Sequence, residues 1–264
     1  MALDQILKLK RLEVLKAKRL LPLTKLKNQA TRVKRPPISL YAKLKNSDDK
    51  PHLICEIKKA SPSQGIIRKN FNPESIAKEF NRAGASAISV LTDKPFFQGS
   101  VEILKKVRRA TKLPILRKDF LIDEYQVYES RLIGADCILL IVAALTKREL
   151  KQLLTLANKL NLESLVEVHS KKELKIALQA GSKIIGINNR NLKTLKVDVN
   201  YAQTVIDQIP NSIARIVESG VDSPRDIQRY NRNKVDAFLV GTSLMKSKNI
   251  SKKIRQFKNA YDSR

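Results

Sequence analysis

One pattern constrains this sequence more than any other: short apolar runs end abruptly on charged or amide side chains. Leu113, Ile115 and Leu116 run into Arg117, Lys118 and Asp119. Leu53-Ile54-Cys55 runs into Glu56 and Lys58, and Leu165-Val166 into Glu167. Ile184 to Ile187 runs into Asn188-Asn189-Arg190, and Ile216-Val217 into Glu218-Ser219. Charged groups at the ends of buried strands are costly unless paired or used. Five strands delivering polar groups at their carboxyl ends describe a barrel enzyme with its site on one face.

The rest of the chain agrees with that reading. Strand-like segments lie near 53–58, 86–91, 114–118, 136–142, 163–168, 183–187, 213–218 and 235–240. Each is expected to lead into an amphipathic helix, as in Asn72 to Ala83, Lys147 to Leu160 and Lys171 to Ala180. Eight βα units without hairpin signals predict an α/β fold, a closed (β/α)8 TIM barrel. An open doubly wound sheet usually has fewer strands, and its Gly-x-Gly-x-x-Gly turn is missing here. Gly84, Gly134 and Gly181 each close a helix and open a strand, where a left-handed residue is needed. Asn233 takes the corresponding place before Val235.

Residues 1–50 carry 14 Lys+Arg against 4 Asp+Glu and precede the first strand. Asp4 can cap a helix through Leu7, Leu15 and Leu20, and Pro36-Pro37 breaks the chain before Ser39 to Leu44. Fifty such residues form a weak core alone. The expected organisation is therefore a helical extension, 1–50, packed on a single catalytic barrel, 51–264.

No apolar run reaches the ~18 residues of a membrane span. No signal-peptide core is seen, and a transit peptide is not expected beside Asp4 and Glu13. A cytoplasmic protein, or a stromal one in a eukaryote, is expected. Cys55 and Cys137 lie in strand-like runs and read as buried free thiols. With no CxxC and only His52 and His169, neither a metal nor a disulfide is expected. The net charge of +27 raises nucleic-acid binding. However, the Lys and Arg residues are scattered, aromatics are 5% and Trp is absent, so a base-stacking platform is poorly supplied. A basic surface that draws in anionic metabolites is the plainer reading.

Candidate site residues follow from strand geometry. Glu56 and Lys58, two apart, share a strand face and point into the barrel, as site groups or as an internal ion pair. Lys118 closes the third strand, where a desolvated lysine can serve as a general acid or an anion anchor. Glu167 closes the fifth and is expected nearly opposite, with room for substrate between the two. Arg190, after Asn188, offers a fork for a carboxylate. Glu218-Ser219-Gly220 and Gly241-Thr242-Ser243 follow strands seven and eight, the usual barrel phosphate site. Ser61-Pro62-Ser63-Gln64-Gly65 can add a hydroxyl and act as a mobile loop. Phe96, Phe97 and Phe120 lie just past strand ends, as loop packing or as an aromatic wall. His169 reads as a structural or rim group.

These segments resemble the indole-3-glycerol-phosphate synthase family. The resemblance is carried by Cys55-Glu56-Ile57-Lys58-Lys59-Ala60-Ser61-Pro62-Ser63, Leu91-Thr92-Asp93, Phe97-Gln98-Gly99-Ser100 and Leu116-Arg117-Lys118-Asp119-Phe120. It continues through Leu165-Val166-Glu167-Val168-His169, Gly186-Ile187-Asn188-Asn189-Arg190, Glu218-Ser219-Gly220 and Leu239-Val240-Gly241-Thr242-Ser243. The matches run in order from about residue 50 to 250, and the lead-in helices resemble the family's extension over the top of the barrel.

The resemblance implies ring closure, decarboxylation and dehydration of 1-(2-carboxyphenylamino)-1-deoxyribulose 5-phosphate, without metal or cofactor. It implies Lys118 as general acid and Glu167 as acid or base of the dehydration. Glu56 and Lys58 would lie in the pocket, Lys58 as a cation for the anionic groups and a possible second acid. Asn188 and Arg190 would hold the anthranilate end, Glu218 and Ser219 would support the pocket, and Phe97 and Phe120 would flank the ring. Ser61, Gly220, Gly241 and Thr242 would take the phosphate, in a pocket expected to be cationic. Val217 and Thr242 depart slightly from a family that often has small or hydroxyl residues there. The isomerase domain fused to some members is not expected here, and a monomer or weak homodimer is. Phosphoribosylanthranilate isomerase and the tryptophan synthase α chain share the phosphate turns but lack the combined Glu56-x-Lys58, Lys118-Asp119-Phe120 and Asn188-Asn189-Arg190 set.

Overall fold

A computed structural model describes residues 3–46, 51–192, 194–230 and 235–260. Asn233 lies outside them, as does part of the junction between the extension and the barrel. Eight parallel strands close on themselves. They are β1 (His52–Ile57), β2 (Ala87–Leu91), β3 (Ile115–Lys118), β4 (Cys137–Ile141), β5 (Glu163–Val168), β6 (Ile184–Asn188), β7 (Ala214–Glu218) and β8 (Ala237–Val240). Sequential strands pair, and β8 closes onto β1 with Ala237 opposite His52 and Val240 opposite Cys55.

Period-two alternation explains why these segments are apolar almost throughout. One face of each strand joins the helices: Leu53, Cys55 and Ile57 of β1 pack with Phe80 and Phe257. The other face fills the barrel with Ile54, Ala87, Leu116, Cys137, Leu165, Ile184, Ala214 and Ala237. Two residues further along, the same inward face carries Glu56, Lys118, Glu167, Gly186 and Leu239. The interior is thus apolar toward the amino ends and ionic toward the carboxyl ends. Cys55 and Cys137 are buried free thiols, and burial pushes both up.

Helices α1 (Leu3–Leu20), α2 (Leu23–Thr31) and α3 (Leu40–Lys45) precede β1. Around the barrel follow α4 (Pro73–Arg82), α5 (Lys94–Phe97), α6 (Val101–Ala110), α7 (Glu124–Ile133), α8 (Lys147–Lys159), α9 (Lys171–Ala180), α10 (Pro224–Gln228), α11 (Thr242–Lys246) and α12 (Ile250–Lys258). Glycines 84, 134 and 181 take positive φ of 88°, 91° and 83°, closing α4, α7 and α9. Asp4 is not a cap: α1 already runs at Leu3, and Asp4 sits within the first turn, where its charge complements the helix dipole.

A second correction concerns β6. It is not followed by an α-helix but by two 3₁₀ turns, Ala202–Thr204 and Ile206–Gln208. The cause is competition for the backbone. Arg190 bridges to Val197, and the Ala202 N–H donates to Asn189 Oδ1 at 2.9 Å, so these groups are engaged outside any helix.

The extension reaches both ends of the barrel. Leu40 and Leu44 of α3 join the interior cluster from the amino-terminal end. There Ser39 Oγ donates to Glu163 at 2.5 Å, and Arg35 pairs with Asp136 at 2.8 Å. At the opposite end, Lys10 of α1 is buried between Asp93 and Asp119, at 2.9 Å from each. Asp119 directly follows Lys118, and Asp93 caps α5, which carries Phe97.

Candidate active site

The carboxyl ends of the strands open into a cavity of about 550 Å³. At its floor stands Lys118, last residue of β3. Its ammonium lies 2.6 Å from Glu167 Oε2 and 2.7 Å from Glu218 Oε2. Glu56 is a further acidic neighbour and is itself paired with Lys58 at 2.7 Å. Burial works against the Lys118 charge, but Glu167, Glu218 and Glu56 outweigh it and hold the ammonium protonated.

The two carboxylates on Lys118 diverge. Burial pushes both up. For Glu167 that push is overcome by Lys118 and His169, and it ends well below the usual carboxylate range. For Glu218 burial prevails, with Glu167's charge adding to it, and its carboxyl is pushed up to about 8. The two carboxyls on the ammonium are thus driven apart, Glu167 toward the anion and Glu218 toward the acid.

Asn188 and Arg190 line the cavity beyond β6. Asn188 Oδ1 accepts from the Arg190 N–H at 2.9 Å, and Arg190 Nη1 donates to Leu195 O at 2.8 Å. Across the mouth, Ser219 and Gly220 both take the left-handed region, at φ 67° and 80°. That is unusual for serine, and strain of this kind collects at functional turns. Gly241 sits so close to Glu56 Oε2 that a Cβ there would collide with it. Thr242 then opens α11.

The strand reading thus brought Glu56, Lys58, Lys118, Glu167, Asn188, Arg190, Glu218, Ser219, Gly220, Gly241 and Thr242 to one cavity, with Phe97 and Phe120 on its wall. Ser61 is different. It is buried in a short hairpin of Ala60–Ser61 with Gly65–Ile66, and its hydroxyl meets no partner among the described residues. Ser63 and Gln64 of that loop line the cavity, and Ser61 does not. Phe96 also stays off the wall.

Three further expectations change. Lys118 and Glu167 do not stand on opposite walls with substrate space between; only β4 separates their strands, and their side chains meet at 2.6 Å. The pocket is not cationic: Lys58, Lys118 and Arg190 face six lining carboxyl groups, Glu56, Asp119, Glu167, Glu218, Asp222 and Asp226. Of the two readings of His169, structural or rim, the rim one fails, since its side chain is buried with Nε2 3.1 Å from Glu167 Oε1. Strand reading also missed the apolar wall. Leu139 and Ile141 could have been found from the inward parity of β4, whereas Val197 and Val199 lie in an irregular loop with no such signal.

The family model for indole-3-glycerol phosphate synthase matches residues 3–257. The chain belongs to the indole-3-glycerol phosphate synthase family. A relative of that name from Acetivibrio thermocellus is 48% identical over 231 residues, covering 86% of this chain and 88% of its own. One from Campylobacter hominis is 44% identical, covering 98% and 99%. Among solved structures, the tryptophan synthase α subunit of Legionella pneumophila superposes with a TM-score of 0.62 over 85% of this chain and 97% of its own. At 14% identity that likeness speaks to the barrel alone. The indole-3-glycerol phosphate synthase match extends through α1 and α2, so the helices that place Lys10 belong to the family's pattern as the barrel does.

Proposed function

We propose that the Lys118 cluster carries out the proton transfers of the family's reaction, a ring closure with decarboxylation and dehydration. The enzyme is a carboxy-lyase of tryptophan biosynthesis that forms indole-3-glycerol phosphate. Its substrate, 1-(2-carboxyphenylamino)-1-deoxyribulose 5-phosphate, carries a carboxylate, an aromatic ring, a ketone and a phosphate. The ring carbon bearing the carboxylate attacks the ketone carbon. Lys118 gives its proton to the ketone oxygen as the new carbon–carbon bond forms. The bond to the carboxylate then breaks and carbon dioxide leaves. The hydroxyl departs as water, with Glu167 as base or acid of that step and Lys58 as a possible second acid beside Glu56.

The remaining roles are those that the family resemblance implies. Asn188 and Arg190 hold the anthranilate carboxylate. Phe97 and Phe120 flank the ring with the leucine and valine wall. Glu218 and Ser219 support the pocket, and backbone N–H groups of Gly220, Gly241 and Thr242 receive the phosphate, aided by the Ser61 loop. No metal or cofactor enters this scheme. A cytoplasmic monomer, or a weak homodimer, with no specific nucleic-acid partner fits it.

One observation carries this reading. The Lys118 ammonium stands at the floor of the cavity, 2.6 Å from Glu167 and 2.7 Å from Glu218. The experiment is turnover of the carboxyphenylamino sugar phosphate, followed by indole fluorescence. Saturable formation of the indole product is expected. Its absence, with turnover of another phosphosugar instead, would overturn the assignment of substrate.

A further inference from the structure

Glu167 and Glu218 share the single ammonium of Lys118 in a dry interior, and two like carboxyls so placed split their ionisations. Proton-transfer chemistry depends on which one keeps the proton. Their inner oxygens are nearly equivalent, at 2.6 and 2.7 Å from Lys118 Nζ. Their outer oxygens are not. Glu218 Oε1 is buried and receives no donor among the described residues. Glu167 Oε1 faces His169 Nε2 at 3.1 Å. His169 lies two residues beyond Glu167, on the same side of the strand. Its Nδ1 lies 3.5 Å from Glu173 Oε2 in the first turn of α9. That same oxygen accepts the His169 backbone N–H at 2.7 Å, which fixes the ring between two carboxylates.

We propose that His169 is a positioning residue that assigns the protons of the site: by its contact with Glu167 it keeps that carboxylate ionised as the base and leaves the proton on Glu218. The inference rests on the reading of Glu167 as an acid–base group. The ring nitrogens meet the carboxylates charge to charge rather than in well-aligned hydrogen bonds, so the ring's charge is what matters. Burial alone would keep His169 neutral, but Glu167 and Glu173 raise it to about 9, so it is cationic at neutral pH. Lys118 from β3 faces Glu167 directly; Glu218 from β7 and Glu56 from β1, the latter paired with Lys58, act on that ammonium. Tyr201 neighbours Glu173 on the outer side. Among the described residues His169 meets the outer oxygen of Glu167 while that of Glu218 meets no donor, so it breaks the symmetry.

The test is the pH dependence of kcat/KM for wild type, His169→Gln, Glu173→Gln and Glu167→Gln. The acidic limb reports ionisation of the base in the free enzyme. In His169→Gln it should move to higher pH by about one to three units, the scale for losing an opposite charge at this range. In Glu173→Gln, which weakens the charge on the ring without touching Glu167, it should move the same way by less. A merely structural histidine would lower the plateau or the Tm and leave the limb in place, and that result overturns the proposal. Should His169→Gln fail to fold, an unmoved limb in Glu173→Gln overturns it equally. Glu167→Gln separates the two ideas. If it turns over normally, the reading of Glu167 fails; if it is inactive while the limbs stay put, only the role of His169 fails.

Discussion

Replacing Glu167 by Gln separates chemistry from scaffolding. The amide keeps the shape of the carboxylate but removes the negative charge on which two cations, Lys118 and His169, now converge. Removing one member of a buried ion pair usually costs about 3–5 kcal/mol, because the partner is left uncompensated. Here a second carboxyl is already in place. Glu218 lies 2.7 Å from the same ammonium and holds its proton partly because Glu167 is charged. With that charge gone, Glu218 can ionise and re-form the pair, and His169 can go neutral and accept from the amide. The net loss then approaches that of one hydrogen bond to a charged group, about 1.5–3 kcal/mol, at the lower end of that range. For a chain of this size the Tm should fall by about 3–8 °C. Turnover should fall by about 10²–10⁴-fold, since an amide cannot take a proton. Thermal unfolding and single-turnover kinetics on one sample check both. Near-normal turnover in the folded fraction would make Glu167 scaffold and turn attention to Glu56; a Tm loss far beyond that range would show that Glu218 does not take over.

Further predictions follow from the same geometry. Gly241→Glu places a side chain against Glu56 and a negative charge where the phosphate is received, so KM should rise about 10–100-fold, the worth of a charge-assisted hydrogen bond. Inorganic phosphate should then inhibit the variant less than wild type, and equal inhibition would place the phosphate elsewhere. Lys10→Met strands Asp93 and Asp119 and should cost about 3–5 kcal/mol in urea unfolding, with Lys10→Arg recovering part; a loss under about 1 kcal/mol would make the tether dispensable. The pH dependence of stability has a definite sign. His169 is raised from its ordinary 6.5 to about 9, so its contribution is full below pH 6.5 and is lost as pH climbs through 9. Glu218, raised to about 8, loses its contribution in the same direction from its ordinary 4.5 upward, whereas lowered Glu167 matters only at acid pH. Tm should therefore decline between pH 6.5 and 9.5, with a smaller decline in His169→Gln; an identical decline in the two would contradict it.

The barrel was readable because its strands obey two rules at once. They are apolar on both faces, and five of the eight reach a polar group at or near their carboxyl ends, at Glu56, Lys118, Glu167, Asn188 and Glu218. Parity then carried the inward positions to one cavity, whose walls Leu139 and Ile141 could have joined by the same count. What strand reading could not give was pairing. Lys118 and Glu167 sit on strands separated only by β4, and nothing in their spacing says that two long side chains meet rather than leave a gap. Lys10 looked like one more basic residue of a basic helix, because its partners Asp93 and Asp119 are distant in sequence. Leu40 and Leu44 read as an unremarkable stretch after Pro36-Pro37, though they plug the barrel. The missing helix after β6 was hidden for a related reason: Asn189 spends its side chain holding Ala202 and Ser219, a contact with no periodic signature.

The central claim is that Lys118, held protonated among Glu167, Glu218 and Glu56, delivers the proton that permits ring closure. It is tested most directly by single-turnover conversion of the carboxyphenylamino sugar phosphate with Lys118→Ala, under conditions where substrate saturates and the fold is verified by thermal unfolding. The account predicts that the ring-closing step slows by about 10²-fold or more, the scale for losing a general acid, with substrate still bound. Ring closure within a few-fold of the wild-type rate in a folded Lys118→Ala protein would contradict it.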